Sequence, residues 1–223
     1  MEIGKNILEL KKQLPEGVRL VAVSKTKPNE DIMKAYQAGQ RIFGENKIQD
    51  LTKKYEELPK DIEWHFIGHP QTNKIKYIAP FVSLIHGVDS LKLLNVIDKE
   101  ARKNDRVIRC LLQFHIAEES TKFGLNEQEA DEILTSEEFI QLKNIEIAGV
   151  MGMATYTDDE QQIRNEFRKL HAVFASLKKK YFENTAGFCE LSMGMSDDYP
   201  IAVGEGSTLI RVGSKIFGAR NYQ

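Results

Sequence analysis

The sequence predicts a single (β/α)8 barrel, an α/β fold in which eight parallel strands close into a ring that helices surround. Short apolar runs rich in branched side chains alternate eight times with segments whose apolar residues recur at helical spacing. Such alternation is typical of parallel β/α units. No proline-rich or serine-rich linker interrupts it, so we predict one domain over residues 1–223, a length that suits a compact barrel. A doubly wound open sheet is the alternative fold.

Glycine and proline residues bound the first four units. An amphipathic helix over residues 3–14 ends before Pro15, and the next two helices end at Gly39 and Pro59. Each of these breaks separates a helix pattern from a strand pattern. The predicted strands are 19–24, 41–43, 62–67 and 81–86, and the helices that follow them are 29–38, 47–58, 73–78 and 90–102.

The last four units include the longest predicted helix, over residues 159–181, which carries a wide apolar stripe. A loop over residues 193–200 opens a short helix, for which Ser196 and the two aspartates after it resemble an N-cap and an acidic first turn. The predicted strands are 107–116, 145–151, 188–192 and 209–213, and a further helix covers 127–135.

Composition excludes several classes of function. The net charge of −2 and the pI near 6.3 argue against a nucleic-acid surface or a basic membrane patch. No apolar run approaches the roughly 20 residues that span a bilayer, and the N-terminus lacks the apolar core of a signal peptide. We predict that Cys110 and Cys189 are reduced core thiols and that the protein is cytoplasmic.

Lys25 directly follows the first predicted strand and precedes a loop that leads into a helix. It allows two interpretations. The lysine extends into solvent from the strand end, or its amine lies in a partly dry pocket. In such a pocket burial lowers the pKa of an amine from about 10.4, and the neutral amine attacks an aldehyde.

A glycine-rich loop, residues 204–208, lies next to the last predicted strand. Its backbone N–H groups and two hydroxyls suit a phosphate, and barrels often bind phosphate near strands seven and eight. A plain turn is the alternative. Arg211 lies inside an otherwise apolar strand, so we expect its guanidinium to point into the barrel mouth towards a planar partner.

In a barrel, the carboxyl ends of the strands share one mouth, where active sites lie. The residues at these predicted ends are Lys25, Glu45, Asn46, His65, Gly68, His86, Gln113, His115, Met151, Ser192 and Arg211. We predict no metal site, because His65 and His69 lie across a strand end and a turn and cannot take helical ligand geometry. His171 lies on the long helix and is predicted to be at the surface.

Three segments together resemble the pyridoxal phosphate homeostasis proteins, single-domain relatives of the alanine racemase barrel. They are AVSKTKP at 22–28, FGEN at 43–46 with WHFIGH-x-Q-x-NK at 64–74, and LSMGMSDD…GST-x-IR-x-G-x-x-IFGAR at 191–220. The resemblance covers essentially the whole chain in order. It implies a barrel of the alanine-racemase N-terminal type, the fold type III of pyridoxal phosphate proteins.

The resemblance also implies pyridoxal 5′-phosphate as the cofactor and assigns residues to it. Lys25 forms the internal aldimine, and Arg211 faces the pyridine nitrogen. Four residues surround the phosphate, with Ser192 close by: Ser196, Gly206, Ser207 and Thr208. Asn46, His65 and Met151 line the pocket, and Gly213 is a further cofactor-contacting position. Two residues depart from the family's pattern, Pro70 where leucine is usual and His115 where asparagine is usual.

An arginine at the pyridine nitrogen can only donate, so it favours an unprotonated ring, which is a poor electron sink. The resembling racemases also need a second domain that supplies a tyrosine, and this chain ends at Gln223, just after the barrel. We therefore expect a non-catalytic protein that binds, buffers or delivers the cofactor. It is expected to be a monomer, with apo-enzymes that need the cofactor as candidate partners. A racemase-like enzyme and a cofactor-free sugar-phosphate lyase using Lys25 are the alternatives.

Overall fold

The computed structural model describes residues 2–118 and 123–218 and confirms the predicted barrel. Eight parallel strands pair in chain order, and the eighth pairs with the first, so the sheet is closed. The strands are β1 (Arg19–Val23), β2 (Ile42–Glu45), β3 (Glu63–Phe66), β4 (Leu84–Val88), β5 (Ile108–Gln113), β6 (Ile145–Met151), β7 (Glu190–Ser192) and β8 (Leu209–Val212).

Helices fill the connections. They are α1 (Ile3–Gln13), α2 (Asn29–Gln37), α3 (Ile48–Glu57), α4 (Ile75–Ile78, after a 3₁₀ turn at Thr72–Lys74), α5 (Leu91–Lys103), α6 (Glu127–Thr135), α7 (Glu137–Ile140), α8 (Glu160–Tyr181), α9 (Tyr199–Gly204) and α10 (Ser214–Phe217). The sequence did not predict α7 or α10, because four residues are too few to show a helical period. Within the described ranges, no helix is long and apolar enough to cross a membrane.

The fourth strand begins later than predicted. Residues 81 and 82 donate their backbone N–H groups to Ile78, so they close the turn after α4 and do not pair with a neighbouring strand. The apolar run at 81–86 therefore belongs half to a helix end and half to β4. Short apolar runs do not distinguish these two states.

Successive side chains of each strand point alternately towards the helices and towards the barrel interior, so there is an outer and an inner core. The outer side chains, such as Leu20, Phe43 and Trp64, are buried against the surrounding helices. The inner side chains form a second cluster inside the ring: Val21, Leu84, Leu111, Ala148, Met151 and Leu209. This apolar cluster fills part of the barrel interior.

A charged cluster closes the amino-terminal end of the barrel. Glu190 is buried, and its carboxylate contacts the guanidinium groups of Arg19 and Arg109, the latter at 3.2 Å. Thr208 lies at the same end, because its carbonyl accepts a hydrogen bond from the backbone N–H of Arg19. No local sequence pattern indicates this cluster, because its members come from four different strands or strand starts.

One cysteine prediction is wrong. Cys110 is buried in β5, and burial raises the pKa of its thiol. Cys189, however, is exposed. It directly precedes β7, where only the neighbouring Phe188 and Glu190 are buried. The apolar run at 188–192 was predicted to be a strand throughout, but β7 begins at Glu190, and Cys189 only donates its backbone N–H to the Ala148 carbonyl at 2.9 Å.

Candidate functional site

Lys25 lies in a tight turn at the carboxyl end of β1. The backbone N–H of Lys27 donates to the carbonyl of Ser24 at 3.0 Å and closes the turn. Thr26 takes a left-handed conformation there, with φ of 65°. A β-branched residue rarely adopts this conformation, which costs about 1–2 kcal/mol. Such strain persists where surrounding contacts impose it and is common at functional sites.

A buried ion pair between Lys54 and Glu45 contacts this turn. Lys54 of α3 donates to the Ser24 carbonyl at 2.9 Å and to the Glu45 carboxylate at 2.6 Å, and the Ser24 hydroxyl also donates to Glu45 at 2.6 Å. Burial raises the pKa of Glu45, partly offset by the charge of Lys54. Glu45 was predicted to face the barrel mouth. Instead it faces α3, because it occupies an outward position of β2.

Ser196 and Gly213 meet at the carboxyl end of β1. The backbone N–H of Gly213 donates to the Ser196 hydroxyl at 3.2 Å. Gly213 also packs on β1, where a side chain at this position would lie 3.1 Å from the carbonyl oxygen of Val23. Ser196 is not the N-cap that the sequence predicted, since Asp198 precedes the first residue of α9. The Ser196 hydroxyl therefore belongs to the mouth and not to the helix start.

A chain of four buried polar side chains descends from the mouth into the barrel. Arg211 donates to the Ser192 hydroxyl at 2.6 Å and to the Gly152 carbonyl at 3.1 Å. The Ser192 hydroxyl lies 3.0 Å from Nδ1 of His86. His86 Nε2 in turn lies 3.0 Å from Nδ1 of His65. The structure thus brings together three predicted site residues and links them through His86, which was predicted only as a mouth residue.

Burial determines the charges of the ionisable side chains in this hydrogen-bonded row. It lowers the pKa of His65 to about 3, and burial also lowers the pKa of His86 well below its usual value. Both imidazoles are therefore neutral at neutral pH. Burial lowers the pKa of Arg211 to about 10, so the guanidinium stays charged. Two of its five N–H donors are used by Ser192 and Gly152, and the others can meet an acceptor from the mouth.

The remaining predicted pocket residues occupy different depths. Asn46 follows β2 directly and is exposed at the rim. Met151 ends β6 and is buried in the inner cluster. Pro70 is buried, with its Cδ atom against the position that a side chain on Gly87 would occupy. His115 follows β5, and its backbone N–H donates to Leu125 at 3.1 Å. His171 is exposed, as predicted.

The structure does not bring Gly206, Ser207 and Thr208 to the mouth. The Ser207 hydroxyl is buried against the carbonyl groups of the β7 region, and the Thr208 hydroxyl accepts from the backbone N–H of Leu191. These residues precede β8, so they lie at its amino end with the charged cluster. The prediction that these three residues contact the phosphate is therefore wrong, because they lie at the end of the barrel opposite the mouth. Because these residues come directly before β8 in the sequence, they could have been excluded from the carboxyl end of that strand.

The buried histidines make stability depend on pH. In the unfolded chain a histidine binds a proton near pH 6.5, whereas His65 and His86 stay neutral in the folded barrel to lower pH. The unfolded state therefore binds more protons below pH 6.5, and folding stability falls as the pH is lowered. We expect the free energy of unfolding, measured with denaturant, to fall by about 1.4 kcal/mol per histidine between pH 7.5 and 5.5.

Two variants check the source of that loss. His65→Gln removes one titrating group and should reduce the difference between the two pH values by about 1.4 kcal/mol. His171→Gln changes an exposed histidine and should leave the difference as it is in the parent protein. An unchanged difference in His65→Gln would contradict the assignment.

Comparisons with known proteins agree with this geometry. A family model described as alanine racemase, N-terminal domain, matches residues 2–221. The pyridoxal phosphate homeostasis protein of Aquifex aeolicus (strain VF5) is 38% identical over 205 residues, covering 92% of this chain and 88% of that protein. The protein of that description in Escherichia coli (strain K12) is 35% identical over 212 residues, covering 93% of this chain and 88% of that protein.

Solved structures are similar over the same length. PipY of Synechococcus elongatus PCC7942, with pyridoxal phosphate bound, superposes with a TM-score of 0.87 at 35% identity, covering 97% of this chain and all of that chain. An alanine racemase of Clostridium difficile 630 superposes with a TM-score of 0.77 at 11% identity, covering 58% of that chain, and shares the fold alone. The chain belongs to the alanine racemase N-terminal domain family and, within it, to the pyridoxal phosphate homeostasis proteins.

Proposed function

We propose that this protein binds pyridoxal 5′-phosphate in the barrel mouth, covalently through Lys25, and serves cofactor homeostasis without substantial racemase activity. One observation carries the proposal. The amine of Lys25 follows β1, Ser196 and Gly213 meet next to that strand, and the buried Arg211 lies below. An aldehyde cofactor with a phosphate and a ring nitrogen needs one group for each of these three functions.

The phosphate is assigned to Ser196 and Gly213 and no longer to residues 206–208. A serine hydroxyl and a backbone N–H are typical phosphate donors, and both lie at the carboxyl end of the barrel. Gly213 admits close approach of a ligand because a side chain there would meet the backbone of Val23. Ser192 is assigned a different role, since it holds the guanidinium of Arg211.

Arg211 favours cofactor binding over carbanion chemistry. Bound pyridoxal phosphate is a stronger electron sink when its ring nitrogen is protonated, and a charged guanidinium can donate to that nitrogen but cannot accept a proton from it, so it favours the weaker sink. No carboxylate forms an ion pair with Arg211 among residues 2–118 and 123–218. A racemase-like enzyme would need a second acid or base, for which His65, His115 or a tyrosine are the candidates, and His65 is buried and neutral.

The homeostatic role has a direct test. Cofactor-loaded protein is incubated in deuterated water with a panel of amino acids, and exchange at the α-carbon is followed by NMR. We expect no exchange above the rate of free cofactor. In parallel, the loaded protein should restore activity to an apo-enzyme that needs the cofactor. Exchange on any amino acid would replace the proposal with a racemase-like enzyme.

We further propose that the chain is one cytoplasmic domain that acts as a monomer.

Ser196→Ala and Thr208→Ala form a matched pair for the phosphate assignment. Ser196→Ala removes a donor at the mouth, and we expect the dissociation constant for pyridoxal phosphate to rise about tenfold while the covalent adduct still forms at saturation. Thr208→Ala removes a hydroxyl at the opposite end, so affinity should not change. Titration followed by adduct absorbance measures both. A loss of affinity in Thr208→Ala alone would restore the original phosphate assignment.

A further inference from the structure

A second pocket lies on the rim of the barrel, between the segments that follow β2 and β3, and it includes Asn46, which the resemblance assigned to the cofactor pocket. We call it the rim pocket. Its volume is about 160 Å³, and no acidic residue lines it. Six polar side chains line it: Asn46, Lys47, Gln49, His69, Gln71 and Lys74. Its walls therefore carry two ammonium groups, three amides and an imidazole.

In the described parts of the chain, one donor of the rim pocket has an acidic partner, because Nδ1 of His69 lies 3.5 Å from the Asp89 carboxylate. Neither Lys47 nor Lys74 forms an ion pair there, although Lys74 lies 5.7 Å from the ring of Tyr77. The side-chain amides in the pocket likewise make no hydrogen bond with another described residue. Some other surface lysines pair with carboxylates, as Lys34 does with Asp31. In the rim pocket, two lysines and three amides converge without acceptors of their own among the described residues.

Lys47 also occupies a position that its charge disfavours. It is the N-cap residue of α3, a helix of ten residues, and no side chain accepts a hydrogen bond from the first turn. A helix amino terminus carries a partial positive charge, so a cation there is unfavourable, and Ser, Thr, Asp or Asn is the usual choice. An anion in the rim pocket reverses this effect, because it is attracted by Lys47 and by the helix terminus together.

We propose that the rim pocket is a second anion site, which binds the phosphate group of a phosphate monoester. Two lysines and several neutral donors match a dianion with three acceptor oxygens, and the volume accommodates a phosphate group. The pocket follows β2 and β3, whereas Ser196 and Gly213 follow β7 and β8, and β1 lies between β8 and β2. The phosphate of the cofactor at Lys25 is already assigned to Ser196 and Gly213, so a phosphate in the rim pocket belongs to a second molecule.

Two sources can supply this phosphate. One is a second pyridoxal phosphate molecule that enters or leaves the mouth, an identification that rests on the proposed function. The other is inorganic phosphate. The binding chemistry is the same for both, so the test uses inorganic phosphate, pyridoxine 5′-phosphate, which has no aldehyde, and pyridoxine, which has no phosphate.

The experiment begins with protein that has been loaded with pyridoxal phosphate and reduced with borohydride, so that the Lys25 site is filled irreversibly. Each probe is then titrated in low salt and binding is measured by calorimetry and by ³¹P NMR. We expect one equivalent of phosphate or pyridoxine 5′-phosphate to bind and pyridoxine not to bind. Tighter binding of pyridoxine 5′-phosphate identifies the cofactor class as the source, and equal binding identifies the phosphate ion.

Lysine variants locate the site. The double variant Lys47→Ala, Lys74→Ala should weaken phosphate binding at least tenfold. The matched control is Lys53→Ala, Lys76→Ala, which removes two exposed lysines of α3 and α4 that do not line the rim pocket. Because neither lysine of the test pair forms an ion pair with a described residue, both double variants should unfold at the parent's temperature.

Two results would overturn the inference: no saturable phosphate binding to the reduced protein, or an equal loss in the test and control pairs. The outcome stays distinguishable from failure of the proposed function. If borohydride yields no adduct on Lys25, the proposed function fails by itself. The same titration of untreated protein still decides the rim pocket, whose residues do not include Lys25.

Discussion

Lys25→Ala should abolish the yellow absorbance band of protein mixed with pyridoxal phosphate, and no borohydride-reduced adduct should form. The variant removes the only group that we assign to the covalent bond. Weaker binding should remain, because Ser196, Gly213 and Arg211 are unchanged. Each charge-assisted hydrogen bond to phosphate contributes about 1.5–3 kcal/mol, so a few of them hold the ligand in roughly the micromolar range. Fluorescence titration measures this residual affinity.

Lys27→Ala is the matched control. Lys27 is two residues away and donates to the carbonyl groups of Phe217 and Gly218 at 3.1 and 3.3 Å, so it is engaged outside the proposed covalent site. Its variant should keep both the absorbance band and the reduced adduct. Peptide mapping of the parent protein should place the adduct on Lys25. An adduct on Lys27 would refute the central assignment, and a colourless parent protein would favour the cofactor-free lyase.

Glu190→Ala should destabilise the barrel by about 3 kcal/mol. Glu190 is buried and contacts both Arg19 and Arg109, so its removal takes away the ion pair of Arg19 and leaves Arg109 with only a 3.9 Å contact to Glu146. Breaking a buried ion pair typically costs 3–5 kcal/mol, and the lower value applies because the two arginine side chains are 40% and 33% exposed. For a chain of this length that corresponds to a fall in Tm of about 6–12 °C.

Glu9→Ala provides the comparison, since Glu9 pairs with Lys5 at 3.8 Å on the surface and both side chains are more than half exposed. Such pairs contribute at most about 0.5 kcal/mol, so its Tm should be nearly unchanged. Below its unfolding temperature, Glu190→Ala should bind pyridoxal phosphate as the parent does, because Glu190 lies at the end opposite the mouth. A stable Glu190→Ala variant, or one that loses cofactor affinity at low temperature, would contradict this role.

Local sequence patterns predicted most of the fold. Burial and periodicity act on neighbouring residues, so all eight strands, the long helices and the position of Lys25 at the end of β1 could be predicted from the chain alone. The position of Arg211 within an apolar strand likewise indicated a buried guanidinium. The failures were short elements, such as α7 and α10, and strand ends, such as residues 81–82.

Contacts between distant residues were not predictable in this way. His86 and Ser192 are 106 positions apart, and their hydrogen bond depends on the register of the closed sheet. The buried pair of Glu45 and Lys54 depends on which face of β2 meets α3, and a shift of one residue would reverse it.

The candidate site was likewise predictable from the sequence only in part. The sequence by itself determined the fold class, the family and the residue types that a phosphorylated aldehyde needs. Only the tertiary structure decided which of them share the mouth, placing Ser196 with Gly213 and sending residues 206–208 to the charged end. The physical reason is that residue type and spacing record local burial and backbone preference, whereas the end of a barrel at which a loop lies follows from the direction and closure of the whole sheet.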